Sequence, residues 1–391
     1  MAMIKSRKKC QFFATMLVMN RRILSYFTVI FATLLSTFIV WLPFILKSPQ
    51  WFGLDFFRQN FLTIYKHYDG PLYIVVAKTF YNPALIENLS LEFIQPTIYF
   101  AAHLPLYPVF IRLFSVIGYL KSMILVNVLF SLFLILFFYY FLTKFNITKK
   151  PLLLTAVFMF LPRFLVLRTV GAPESLFLFF IILSIYFFEK KHYLIAGLVG
   201  ALATMTKTPG ILLFVAYCLV FLERYIKTRK IELQWLFITL IPLGLASVFF
   251  LYLEQYKDFF AYFHSGDNLH LTSLYSMFNF RARWVGTAWL EDIIFYLFIY
   301  GLALINLKES QFRSMFYFCL VFFTATIFVQ HRDIARYSLP LWPFACIAFE
   351  RFLTSKKTLL AMLILLPAIY LYTWNFLLYN VMPIANWKPY L

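Results

Sequence analysis

Four ionisable residues, Asp69, Glu174, Lys207 and Arg336, stand beside the ends of apolar runs. A charge there is costly unless it is paired or faces a wet cavity, so the set suggests a polar cavity at a membrane boundary. Asp69, in "HYDGPLY" (His67 to Tyr73), is the type of residue that takes a proton from a hydroxyl held within hydrogen-bonding reach. Lys207 in "TKTPG", with Arg332 and Arg336 in "HRDIAR", are of the types that hold a phosphate, Arg through a bidentate fork and Lys as a point charge. These parts suit a transfer reaction whose leaving group is a lipid-linked phosphate, and they serve ion-coupled transport equally well. Plainer roles stand beside each of them. Asp69 also fits a turn residue that caps a helix at Pro71 or beyond, and Lys207 and Arg336 fit side chains that snorkel to the headgroups.

The elements that must position these residues follow from composition. Of 391 residues, 63% are hydrophobic and 13% charged, against about half apolar and a quarter charged in soluble domains. The chain reads as a polytopic membrane protein. Its net charge of +19 comes from short basic clusters between apolar runs, the pattern of cytoplasmic loops rather than of nucleic-acid binding. Cys10, Cys218, Cys319 and Cys346 have no metal-ligand spacing, three lie in apolar runs, and no disulfide framework is implied. The basic start, "MAMIKSRKKC…NRR", precedes a run from Ile23 to Leu46 that is long enough to span and lacks a small-residue cleavage site, so it is expected to be a retained first helix.

Further helices are expected at Ser122 to Leu142, Pro151 to Leu167, Glu174 to Phe188, Tyr193 to Met205, Pro209 to Leu222, Leu233 to Leu253, Asp292 to Asn306, Phe312 to Gln330, Tyr337 to Phe349 and Leu359 to Tyr379. The stretch "HLPLYPVFIRLFSVIGYLK", with two prolines and Arg112, reads either as a crossing or as a partly inserted helix. Absence of a fixed-period repeat points to one membrane domain over 1–391, an all-α bundle of about 11–12 helices. If 103–142 crosses once, the basic connections share the cytoplasmic side. The other side then holds a long first outer loop (47–102), "RTVGAPE", "TKTPG", a second outer loop (254–291) and "HRDIAR". That face carries all six aspartates and every histidine except His192.

Four ordered motifs add a resemblance. "HYDGPLYIVVAKTFY", "HLPLYPVFIRL", "RTVGAPESLFLFFIILSIYF" and "HYLIAGLVGALATMTKTPGILL" cover Lys66 to Leu213, more than a third of the chain. Their order and spacing resemble the family of mannosyltransferases that adds the second mannose in GPI-anchor synthesis, together with its bacterial relatives. That family belongs to the GT-C class of integral-membrane glycosyltransferases. The matching positions are Tyr68-Asp69 with Tyr73, the segment from His103 to Pro108, Ala172-Pro173-Glu174-Ser175, and Lys207-Thr208-Pro209-Gly210. "RYSLPLWPF", Arg336 to Phe344, is similar to a helix start seen across many GT-C enzymes. The chain departs from the pattern at Lys207, where the family has Arg, at His103, where Phe is common, and at Pro173, where Thr is common.

The resemblance implies a GT-C bundle and an inverting transfer of a hexose, with mannose favoured, from a polyprenyl-phosphate sugar to an acceptor hydroxyl on the non-cytoplasmic face. It makes Asp69 the catalytic base. It makes His67, Tyr73, His103, Glu174, Lys207, Arg332 and Arg336 substrate-binding candidates, with Lys207 and Arg336 on the phosphate. His67, beside Tyr65 and Tyr68, fits a sugar contact or an interfacial anchor; Glu174 fits a sugar contact or a cap on the helix that starts there. The lipid-phosphate sugar is itself the donor, no cofactor is called for, and a divalent metal stays an open alternative. Expected partners are membrane lipids and a glycan, lipid or protein acceptor, in a bacterial inner membrane or the endoplasmic reticulum. In the second outer loop, His264, Asp267 and His270 lack a recognised ligand spacing, whereas Trp284 and Trp289 suit the headgroup region. Two other classes remain open: a flippase or transporter of lipid-linked sugars, and a non-catalytic glycolipid-binding subunit.

Overall fold

A computed structural model describes residues 2–92, 95–266, 271–278 and 290–391, with side chains described from residue 23 onward. Asp267, His270, Trp284 and Trp289, named in the loop 254–291, lie outside the described residues, as do Arg281 and Arg283 of the same loop.

The described chain is almost entirely helical; its one sheet is a hairpin of two-residue strands, Gln50–Trp51 against Leu54–Asp55. Five helical segments are long and apolar enough to cross a membrane: Ile23–Leu46, Tyr119–Lys144, Thr208–Thr228, Leu233–Tyr256 and Lys356–Tyr379. Most of the remaining apolar helices fall short of the expected crossing length. Glu174–Glu189 has 16 residues and Tyr193–Thr206 has 14, which at 1.5 Å per residue is about 21–24 Å against a hydrocarbon core of about 30 Å. Glu174–Glu189 is mostly buried among its neighbours, whereas Tyr193–Thr206 leaves Leu194, Ile195 and Leu198 exposed on one side. Glycine sets one of these contacts. A Cβ on Gly244 would lie 2.7 Å from Ala201 Cβ, so the helices carrying the two residues meet backbone to backbone.

One expectation is corrected and two are made more specific. The run from Pro151 to Leu167 is two helices, Pro151–Met159 and Pro162–Leu167. Leu161, which precedes a proline, takes an extended ψ of 124°, because the proline ring crowds a helical predecessor and offers no N–H to continue the ladder. Of the two readings of the stretch after His103, helix length favours the partly inserted one. Its helix, Leu106–Leu113, has eight residues, about 12 Å of rise, so 103–142 contains one segment long and apolar enough to span, Tyr119–Lys144. Finally, the long loop expected at 47–102 is itself largely folded. It contains Phe61–Tyr65, Gly70–Thr79, Pro83–Asn88 and a 3-10 turn at Thr97–Ala102. Leu72 to Ala77 are all buried, as expected of a run that is apolar on every side.

Candidate functional site

Four of the five segments assigned to one face, 47–102, "TKTPG", 254–291 and "HRDIAR", contribute to the wall of a cavity of about 710 Å³, within the usual range for small-molecule sites; "RTVGAPE" lies behind that wall. Asp69, Tyr73, His103, Lys207, Arg332 and Arg336 line the cavity, joined by Arg163, Asp292 and Asp333 and, near the end of the chain, by Phe376 and Asn380 to Pro383.

Asp69 occupies the N-cap position of the helix Gly70–Thr79, yet its carboxylate makes no capping hydrogen bond. Its backbone carbonyl takes that role, accepting from the N–H groups of Leu72 and Tyr73 at 2.9 and 3.2 Å. The carboxylate instead faces the cavity, 39% exposed, with Oδ2 3.5 Å from Arg336 Nη2. The preceding Tyr68 has φ of 51°, a left-handed conformation that costs a tyrosine energy and is tolerated where the surroundings enforce it. The backbone thus turns sharply just before the carboxylate.

Glu174 sits beneath the cavity, its side chain only 4% exposed. Oε1 accepts from Lys207 Nζ at 2.8 Å and from Arg336 Nε at 2.7 Å. Oε2 is buried without a hydrogen-bond partner among the described residues. The side chain therefore neither caps its helix nor reaches the cavity; it orients two cations that do. Burial pushes the Lys207 ammonium below its ordinary range against the pull of Glu174. Burial likewise opposes the charge on Arg336, but Glu174 and Asp69 outweigh it and hold the guanidinium well above its ordinary value. The Tyr68 ring lies 4.5 Å from that guanidinium and gives it a fixed face.

A second charged group faces the first. Arg163, next to the proline break at Leu161-Pro162, pairs with Asp333 at 3.1 Å, donates to the Tyr68 hydroxyl at 3.0 Å and lies 4.2 Å over the Phe376 ring. The sequence reading passed over Arg163 and Asp333 as a pair. The signal for Arg163 was present: an arginine inside an apolar run, just after a proline. Arg332 lies exposed at the rim and makes no hydrogen bond or ion pair with the described residues.

The remaining candidates sit differently. Tyr73 and His103 are buried against each other, ring centroids 5.0 Å apart, and form one wall. His67 does not line the cavity. It is fully buried behind Tyr68, where its Nε2 lies 3.4 Å from the Phe376 carbonyl and its backbone bridges to Val381. Burial pushes its imidazole down to about 3, so it is neutral at physiological pH. His67 is neither exposed as an interfacial anchor nor in reach of a molecule in the cavity.

No group of three or more His, Cys, Asp or Glu residues among the described residues is arranged to hold a metal ion. The arrangement as a whole offers accessible carboxylates at Asp69 and Asp292, of which Asp69 is the one beside Arg336, a buried node of Lys207 and Arg336 on Glu174, and aromatic walls. Chemically it can take up a proton at Asp69 and hold an anion beside it. The chain matches no protein-family model, and no curated protein matches it either. The likeness to GT-C enzymes rests on the ordered motifs alone.

Proposed function

We propose that this chain is a GT-C type inverting glycosyltransferase of a multi-pass membrane protein class, moving a hexose, mannose in the first instance, from a polyprenyl-phosphate sugar to an acceptor hydroxyl on the non-cytoplasmic face. The observation that carries this reading is the uncapped Asp69 carboxylate in the cavity, next to an Arg336 and a Lys207 held from below by Glu174. In the reaction the acceptor oxygen attacks the anomeric carbon as Asp69 accepts the hydroxyl proton. The carbon–oxygen bond to phosphate breaks on the opposite face, and its electron pair leaves with the polyprenyl phosphate. Negative charge grows on that leaving oxygen, where Arg336 and Lys207 are placed to stabilise it. Arg163 and Asp333 bind each other across the mouth and shape the space for sugar or acceptor.

The test is transfer from radiolabelled polyprenyl-phosphate mannose to a membrane acceptor fraction by purified wild type and by Asp69→Asn. Transfer by the wild type with a loss of roughly a hundredfold or more in the variant is expected for a positioned base. Equal transfer by both would remove Asp69 from the mechanism. Transfer by neither would reject this donor.

A further inference from the structure

We propose that the donor phosphate and Asp69 compete for Arg336, so that donor binding displaces the carboxylate and frees it for the acceptor hydroxyl. This inference rests on the transfer reading above and adds an order of events to it.

The two carboxylates on Arg336 are held very unequally. Glu174 Oε1 accepts from Nε at 2.7 Å and is 4% exposed, whereas Asp69 Oδ2 lies 3.5 Å from Nη2 and is 39% exposed. Nη1 makes no hydrogen bond with the described residues. A guanidinium holds a phosphate best through two parallel N–H groups. With Nε committed to Glu174, the fork that remains is Nη1 with Nη2, and Nη2 is the nitrogen that Asp69 uses. Nη2 has one N–H in that fork and one on the Nε side, so a phosphate in the fork shares this nitrogen with Asp69 and crowds its carboxylate. Lys207 gives one hydrogen bond to Glu174 and, as an ammonium, keeps two further donors for the same phosphate.

The geometry also decides which partner moves. Arg336 is clamped by Glu174 on one edge and by the Tyr68 ring on its face, so it cannot follow Asp69. The Asp69 carboxylate has no other ion pair within 4 Å and no side-chain hydrogen bond among the described residues, since its helix is capped by the backbone carbonyl. A phosphate arriving beside it adds repulsion between two anions. Asp69 swings away from Arg336 only when the leaving group is in place, so donor binds productively before the acceptor is deprotonated.

The discriminating experiment is equilibrium binding of farnesyl phosphate to the full-length protein in detergent, with farnesol as the apolar control. Asp69→Asn and Asp69→Ala should bind farnesyl phosphate about two- to fivefold more tightly than wild type, the scale of one partly exposed ion pair removed as a competitor. Asp292→Asn, which removes a charge from the same cavity but not from Arg336, should tighten binding less. Unchanged or weaker binding in both Asp69 variants overturns the competition while leaving the donor reading intact, as does equal tightening by Asp292→Asn. Absence of saturable, phosphate-dependent binding in wild type overturns the competition and the donor reading together.

Discussion

Replacing Glu174 by Gln keeps the side chain's shape and takes one charge from a node where two cations share a single carboxylate oxygen. At the 2.8 and 2.7 Å separations seen for Lys207 and Arg336, Coulomb attraction at an effective dielectric constant of about 20 is roughly 6 kcal/mol per pair before desolvation. Desolvation cancels much of this, and removing one member of a buried pair costs about 3–5 kcal/mol because the partner's charge is left behind. The Gln carbonyl still accepts one hydrogen bond, which puts the expected loss near the lower end, about 3 kcal/mol. Reversible unfolding in mixed SDS micelles would measure it, with Lys207→Met and the double variant completing a cycle. Removing Lys207 together with the acid relieves part of the stranded charge, so a coupling of about 1.5–3 kcal/mol is expected. A coupling below about 0.5 kcal/mol would refute the node as an energetic unit, and with it the account of how Lys207 and Arg336 are oriented.

Other outcomes follow from single residues. His67, pushed down to about 3, excludes a proton that the unfolded chain binds, so its contribution is complete above the unfolded value and is lost as pH falls from about 6.5 towards 3. Wild type should lose about 2 kcal/mol more than His67→Gln between about pH 8 and about pH 5, measured by the same unfolding assay at both pH values. Arg168 is fully buried and donates to Thr33, Ser36 and Thr37, each of which also has a local hydrogen bond, and it meets no carboxylate. Arg168→Met should therefore stay within about 1 kcal/mol of wild type in midpoint-derived stability, contrary to the usual expectation for a buried arginine. A Cβ on Gly210 would meet the backbone nitrogen of Thr204 at 2.6 Å, so Gly210→Ala should cost about 1–3 kcal/mol. Because Lys207 lies in that turn, the same variant should weaken farnesyl phosphate binding in a direct titration.

Helix positions are legible in this sequence because lipid imposes long apolar runs: Ile23–Leu46 and Leu233–Tyr256 stand where hydropathy alone puts them. That four of the segments expected to share a side line one cavity is legible for a related reason, since alternate connections of a membrane bundle share a side. Hydropathy says less about an element that protein, not lipid, buries. The helix Gly70–Thr79 hides in what composition presents as a loop, and the break before Pro162 hides in what it presents as one helix. Least legible are the pairings. Asp333 with Arg163, and Glu174 with both Lys207 and Arg336, join residues far apart in the chain, and no period or spacing marks such partners. Asp69 stood out as a candidate by its type and neighbours; that its side chain leaves the capping task to the backbone is visible only in the fold.

The wide sequence separation of the Glu174 node has a consequence during synthesis. Lys207 follows Glu174 by 33 residues, but Arg336 follows it by 162. At about 5–20 residues per second, the acid waits only a few seconds for its first cation and roughly 10–30 seconds for its second. Lys207 is thus the early companion that lets a carboxylate stay ionised in a half-built bundle. Arg336 arrives late and closes the node only when the last helices dock. A nascent chain stalled before that point would hold the acid and the lysine, and would have neither the guanidinium that meets Asp69 nor the far wall of the cavity.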